Sequence, residues 1–267
     1  MPRSSIPPRR RGARESHAGR TADGPLAFRI SMPQRYRTSF DGVAVREHAA
    51  IVARREDRAA HVEIWRRQAR GGAILCVVAD DRPGLLSFIS ACLAAENLDV
   101  MAAQAYTRPR PDGQGAEAVD LLWVRREGPS APPVRSDDAT RIAELLAGLV
   151  TGAVPLEAVR RRAASRAVAP RGLATRVTFD EAPEAGLAVL TVETYDRPGL
   201  LLAVTLALFR AAVQIVASDA TTAGGRVVDR FTIAELDGSP VLRHRRGAVQ
   251  TAVLSALDSL AADALRA

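Results

Sequence analysis

The chain has no lysine; all 37 of its basic Lys+Arg residues are arginine. It also has only two cysteines, four histidines and 4% aromatic residues. Two cysteines cannot build a disulfide scaffold. Cys76 and Cys92 both sit in apolar runs, so they read as buried, reduced thiols in a cytoplasmic setting. His17, His48, His61 and His244 show neither a His-Asp pair nor an H-x-x-x-H spacing, so no metal site is expected. No apolar run approaches the ~20 residues of a membrane span. The N-terminus lacks the apolar core of a secretory leader. There is no P-loop, no Gly-rich phosphate loop and no G-x-S-x-G. The sequence therefore calls for no catalytic residue and no cofactor.

The net charge of +7 is concentrated at one end. Residues 1–20 hold six arginines against Glu15, which leaves the other 247 residues with only +2. Such an arm touches phosphate weakly at most, and nucleic acid is not expected as the main partner. Pro, Arg, Ser and Gly dominate residues 1–27, which read as a disordered basic arm. Residues 28–72 read as a helical, linker-like segment, with one or two helices from Val43 to Arg70 that carry His48, His61 and Trp65 on their packing faces.

What the chain does contain is a repeat. Asp81-Arg82-Pro83-Gly84-Leu85-Leu86 returns 115 positions later as Asp196-Arg197-Pro198-Gly199-Leu200-Leu201. Each copy follows a strand-like run, Ala73–Ala79 or Ala188–Thr194, and precedes an apolar helix, Leu85–Glu96 or Leu200–Ala211. Two further strands follow each time, Asp99–Thr107 with Ala118–Arg125 and Gln214–Thr222 with Val227–Ala234. A second helix then begins near Asp137, restarted at Pro155, and near Arg246.

The expected class is α+β, two ferredoxin-like βαββαβ units in tandem, at 73–180 and 181–267. One strand is unaccounted for, since nothing follows the last helix. Arg176–Phe179 either closes the first sheet or lies at the edge of the second.

The two DRPGLL turns, each followed by a helix and a hairpin, resemble a tandem of ACT domains, modules that commonly sense amino acids. Pro33-Gln34-Arg35-Tyr36 with His48, Ala103-Gln104-Ala105-Tyr106-Thr107, Ala118-Val119-Asp120 and Thr175-Arg176-Val177-Thr178-Phe179-Asp180 extend the likeness. Together they resemble the C-terminal regulatory region of bacterial PII uridylyltransferase/uridylyl-removing enzymes, over about residues 28–267. The nucleotidyltransferase and HD hydrolase signatures of those enzymes are absent from this sequence. Family members tend to carry Asn just after the first helix, where this chain has Asp99 and Gln214.

The resemblance implies an amino-acid ligand, glutamine first, in nitrogen or amino-acid metabolism. Such a ligand offers a carboxylate, suited to a helix N-terminus at Gly84-Leu85 or Gly199-Leu200. It also offers an ammonium, suited to Asp81 or Asp196, or to Asp99 or Gln214 on the neighbouring strand. Pro83 and Pro198 complete the expected binding set. Asp120 and Asp229 lie in apolar strands, where an acid either contacts ligand or, as the favoured reading, pairs with arginine. The expected protein is a non-catalytic regulator. The alternative is a detached regulatory part of a PII uridylyltransferase acting in trans on a catalytic chain. A nucleotidyltransferase or PII-type protein is the partner these readings imply, and homodimerisation stays open.

Overall fold

The first strands of the two repeats differ in pattern, and that difference sets the layers of the structure. Strand β2 (Ala73–Asp80) is buried from Ala73 through Ala79, whereas β7 (Ala188–Tyr195) buries Leu190 and Val192 and leaves Val189 and Glu193 partly exposed. A continuous apolar run fits a strand covered on both faces; an alternating one fits a strand covered on one. The computed structural model describes residues 24–126, 130–163, 175–181 and 187–266. The expected disordered arm thus lies outside the described residues, apart from 24–27.

Within the first repeat, helix α4 (Leu85–Ala95) follows β2, and β3 (Asp99–Ala105), a short β4 (Thr107–Pro109) and β5 (Ala116–Arg125) come next, then helices α5 (Ser136–Thr151) and α6 (Leu156–Ala163). The second repeat matches it with α7 (Leu200–Arg210), β8 (Val213–Ala223), β9 (Arg226–Glu235) and α8 (Arg243–Arg266). Even the irregularities recur. The β-bulge between Val100 and Ala102 in β3 has its counterpart between Ile215 and Ala217 in β8.

The strand left unplaced by sequence comes from upstream in both repeats. β1 (Ala60–Arg67) pairs antiparallel with β2, and β6 (Arg176–Glu181) pairs antiparallel with β7. The sheet order is β1-β2-β5-β3-β8-β9-β7-β6. Each half has the ferredoxin-like strand order, but its outer strand precedes the unit instead of ending it. The boundary expected at 180/181 consequently falls inside β6. The two halves share one antiparallel sheet because β3 and β8 pair over Ala102–Ala105 and Ser218–Thr221.

β1 also corrects the reading of 43–70 as helix. Helices α1 (Pro25–Ser31), α2 (Gln34–Ser39) and α3 (Gly42–Arg54) come first, and α3 is capped by the Asp41 carboxylate, which accepts from Val43 and Ala44 N–H at 3.0 and 2.8 Å. Glu56 then takes a left-handed φ of 51°, which breaks the helix, and Ala60-Val62-Ile64 alternate inward. His61 and Trp65 are strand residues of the sheet edge.

The segment 24–67 is integral to the fold. Phe28, Met32, Tyr36, Val45, Ala49 and Ile51 close over the reverse face of β2 and β5, against Ile74, Cys76, Val78, Val119 and Leu121. Tyr36 is fully buried and its hydroxyl lies 2.6 Å from His48 Nδ1. Burial presses the His48 imidazole down to about 4, so it is neutral near pH 7. At the rim, Arg55 meets Glu117 at 2.9 Å and Asp80 at 2.8 Å, and Arg108 joins Glu117 to Ser31. The opposite face of the sheet carries α4, α5, α7 and α8 over one core that runs through both halves, including Leu75, Ile89, Leu122, Ile142, Leu190, Val204, Phe231 and Val253. Both cysteines are buried and free, with thiols pushed up by burial, Cys92 to about 12.

This packing predicts that Tyr36→Ala costs about 3–5 kcal/mol, the usual penalty for deleting a buried aromatic side chain. Urea unfolding followed by circular dichroism checks it. A single transition shifted to lower urea with unchanged slope is the expected result. Little change would mean that 24–54 is an appendage.

Candidate ligand clefts

The Asp-Arg-Pro-Gly turns fold alike for a local reason. Gly84 and Gly199 sit at φ 81° and 78°, left-handed positions that only glycine adopts without strain, and each begins its helix one residue later. The N–H groups of Asp81 and Asp196 donate to the carbonyls of Ala116 and Gly225 at 3.0 and 2.9 Å, fixing the turn to the third strand. Arg82 and Arg197 reach across to backbone carbonyls at Val150 and Leu257, in α5 and α8 of their own halves.

Because β3 and β8 are paired, α4 and α7 lie side by side and each turn faces the other half. Two clefts result. One is lined by Asp81, Gly84, Leu85, Thr107 and Asp120 from the first half and by Thr205, Phe209, Val213 and Ile215 from the second. The other is lined by Asp196, Gly199, Leu200, Thr222 and Asp229 from the second half and by Ser90, Ala94, Leu98, Asp99 and Val100 from the first. All but Val216 of the lining residues of the first cleft have counterparts in the second, 115 positions away or, past the shorter second hairpin, 109. The atom-free space is about 440 and 480 Å³, mouths included, and the part wide enough for a water molecule is about 30 Å³ in each. A molecule larger than water enters only if the lining moves.

The clefts bring together Asp81, Gly84 and Leu85 on one side, and Asp99, Asp196, Gly199 and Leu200 on the other. Three expected residues fall elsewhere. Pro83 borders a shallow surface beside Phe88 and Leu149. Pro198 lines neither cleft. Gln214 lines neither cleft, although its neighbours Val213 and Ile215 line the first and its counterpart Asp99 lines the second.

The acids in the strands are the larger correction. Among the described residues neither Asp120 nor Asp229 forms an ion pair with arginine. Asp120 accepts a hydrogen bond from the Tyr106 N–H at 3.2 Å, and Asp229 has its counterpart from the Thr221 N–H. Both are 3% exposed. Burial, with the neighbouring carboxyl of Asp81 or Asp196 adding to it, pushes Asp120 up to about 8 and Asp229 up to about 7. Asp81 is also raised by burial, although it accepts from Thr107 Oγ1 at 3.0 Å. Each cleft therefore holds two neighbouring carboxyls, one of them buried in an apolar strand. The turn arginine lines each cleft too; Arg82 is exposed, whereas Arg197 is 9% exposed and its Nε–H has no hydrogen-bond partner. Sequence reasoning missed Arg197, though its place in the DRPGLL repeat marked it. The chemistry on offer is reception of a cation by paired acids and of an anion by an arginine and a helix N-terminus, side by side.

No protein-family model matches the chain. A bifunctional uridylyltransferase/uridylyl-removing enzyme of Rhodospirillum rubrum is 32% identical over 243 residues, 87% of this chain and 25% of the relative. The same enzyme of Phenylobacterium zucineum is 28% identical over 249 residues, 91% of this chain and 26% of the relative. The chain is a homologue of one region of these enzymes. The matched stretch resembles their C-terminal part, and the chain spans about a quarter of their length. Among solved structures, aspartate kinase from Synechocystis aligns over 72% of this chain and 28% of its own, at 14% identity and a TM-score of 0.38. No helix among the described residues is long and apolar enough to cross a membrane.

The buried acids predict a pH dependence. An unfolded Asp titrates at about 3.9. The folded groups titrate higher, so the folded state binds more protons between the two values, and stability falls as pH rises from about 4 to about 8. Asp229→Asn, isosteric and neutral, is expected to unfold at a higher temperature than the wild type at pH 8 and at a similar one at pH 4. Equal differences at both pH values would show that folding leaves the titration of Asp229 unchanged.

Proposed function

We propose that the chain is an amino-acid-sensing regulatory region built of two ACT units, and that it signals to catalytic domains without doing chemistry itself. The observation that carries this reading is the make-up of the Gly199 cleft. A zwitterionic α-amino acid needs an anion site and a cation site within a few ångströms. Here Arg197 and the start of α7 stand beside Asp196 and Asp229. Asp99, from the other half, borders the same space, so a ligand would touch both halves at once. Its binding would then bias how the halves pack, which couples the cleft to any surface that senses their arrangement.

Glutamine is the first choice of ligand, and nitrogen metabolism with a PII-type or nucleotidyltransferase partner the first choice of setting. Both rest on the homology to one region of the uridylyltransferase/uridylyl-removing enzymes. The catalytic domains would lie in the same polypeptide or in a separate chain on which this one acts in trans. The homology to only about a quarter of each relative's length favours a dedicated regulatory role.

Thermal unfolding across the twenty amino acids, with L-glutamine as a dose series, tests the reading. A ligand at about 100 times its dissociation constant adds ~2.7 kcal/mol, a midpoint shift of a few degrees. The shift should be selective and saturable, and Arg197→Met should abolish it. Glycine substitutions are poor probes here because the left-handed φ at Gly84 and Gly199 makes them destabilising in themselves. A flat response across the panel would sink the proposal.

A further inference from the structure

The two clefts are lined by nearly the same positions of the repeat, and they differ sharply at the turn itself. In the Gly84 cleft the ring of Phe209, from the end of α7, lies directly on the turn. A β-carbon built on Gly84 would stand 2.7 Å from Phe209 Cδ2 and Cε2 and 3.0 Å from Cγ. Phe88 holds that ring from the other side, edge to face, with centroids 6.2 Å apart. The positions equivalent to Phe209 and Phe88 in the opposite halves are Ala94 and Ala203. At the Gly199 turn a β-carbon would therefore meet only Leu260 Cδ1, at 3.8 Å. Total volumes are nearly equal, so the contrast lies in what covers the backbone. An aromatic ring seals the start of α4, and a methyl group leaves the start of α7 open.

A second asymmetry points the same way. The unpaired, buried Nε–H of Arg197 belongs to the open cleft, while the equivalent Arg82 of the other turn is exposed. Polar groups left without partners in a buried place cost free energy unless an occupant supplies them.

We infer that only the Gly199 cleft takes an amino acid, one per chain, and that Phe209 against Ala94 is the pair of residues that decides it. The inference rests on the proposed amino-acid reading of the clefts. The Gly84 cleft then serves as a rigid joint, with the Phe88–Phe209 pair locking α4 to α7 at one end while the other end can open. A single ligand moves the halves about that locked side.

Isothermal titration of the full chain with L-glutamine, followed by the remaining nineteen amino acids, reads the stoichiometry. The wild type should show one site per chain. Ala94→Phe, which copies the sealing ring into the open cleft, should reduce it to none, with circular dichroism unchanged. Phe209→Ala should create a second site. Since that change also removes core volume, Phe209→Leu, less disruptive, should give a second, weaker site. Two sites in the wild type, or one that survives Ala94→Phe, would overturn the inference and leave the amino-acid reading intact. No binding to the wild type or to either Phe209 variant by any of the twenty would overturn the reading itself, and the inference with it.

Discussion

The pairing of β3 with β8 is the contact on which everything else depends. Unpaired, each would be an exposed sheet edge. Paired, they make one continuous sheet, bring α4 and α7 into contact, and turn each Asp-Arg-Pro-Gly loop toward the other half. Arg35 braces the join from the reverse face. Its Nη2 donates to the carbonyls of Ala105 and Ser218, at 2.8 and 3.0 Å, one on each side of the seam. That arginine belongs to α2, so the helices over the first half also clasp the second. The N-terminal segment is thereby tied to the geometry of the clefts, although it lines neither of them.

Much of this architecture was legible in the sequence. The duplicated hexapeptide located both turns and both following helices within a residue or two, because Pro and Gly constrain the backbone locally whatever surrounds them. The contrast between Ala73–Ala79 and Ala188–Thr194 also lies in the sequence, but the unbroken run alone does not lead to a second layer over the first half, and 28–72 reads there as a linker. The misreading of 60–67 has a definite cause. Ala60-His61-Val62-Glu63-Ile64-Trp65 alternates with the period of a strand, but it follows a true helix after a break of only five residues, and the break is a left-handed Glu56 with no Gly or Pro to announce it.

What the sequence could not show is tertiary. Whether Asp120 and Asp229 meet arginines depends on which strands lie beside them, and the arginines went elsewhere: Arg55 and Arg108 to Glu117, Arg126 to Asp138. The placement of Phe209 over Gly84 joins residues 125 positions apart in different halves. Its only trace in sequence is a mismatch at one repeat position, phenylalanine against alanine. Such mismatches are informative because the repeat supplies an internal control: two copies of one backbone, in one molecule, with different side chains at the same place.

The acids give the clefts their thermodynamic character. Asp229 sits with Asp196 in a buried place, and its raised pKa records that the empty cleft disfavours charge. On the proposed reading, a bound ammonium would reverse that bias, so part of the binding free energy would go into ionising Asp229. The same group that weakens the fold as pH rises would then strengthen the hold on a cation. A cleft with no room for more than about a water molecule adds a second cost, the parting of α4 from α7. On the proposed reading, sensitivity of packing to occupancy would follow from these two costs together. A preformed, neutral, roomy pocket would bind with less expense, and it would transmit less.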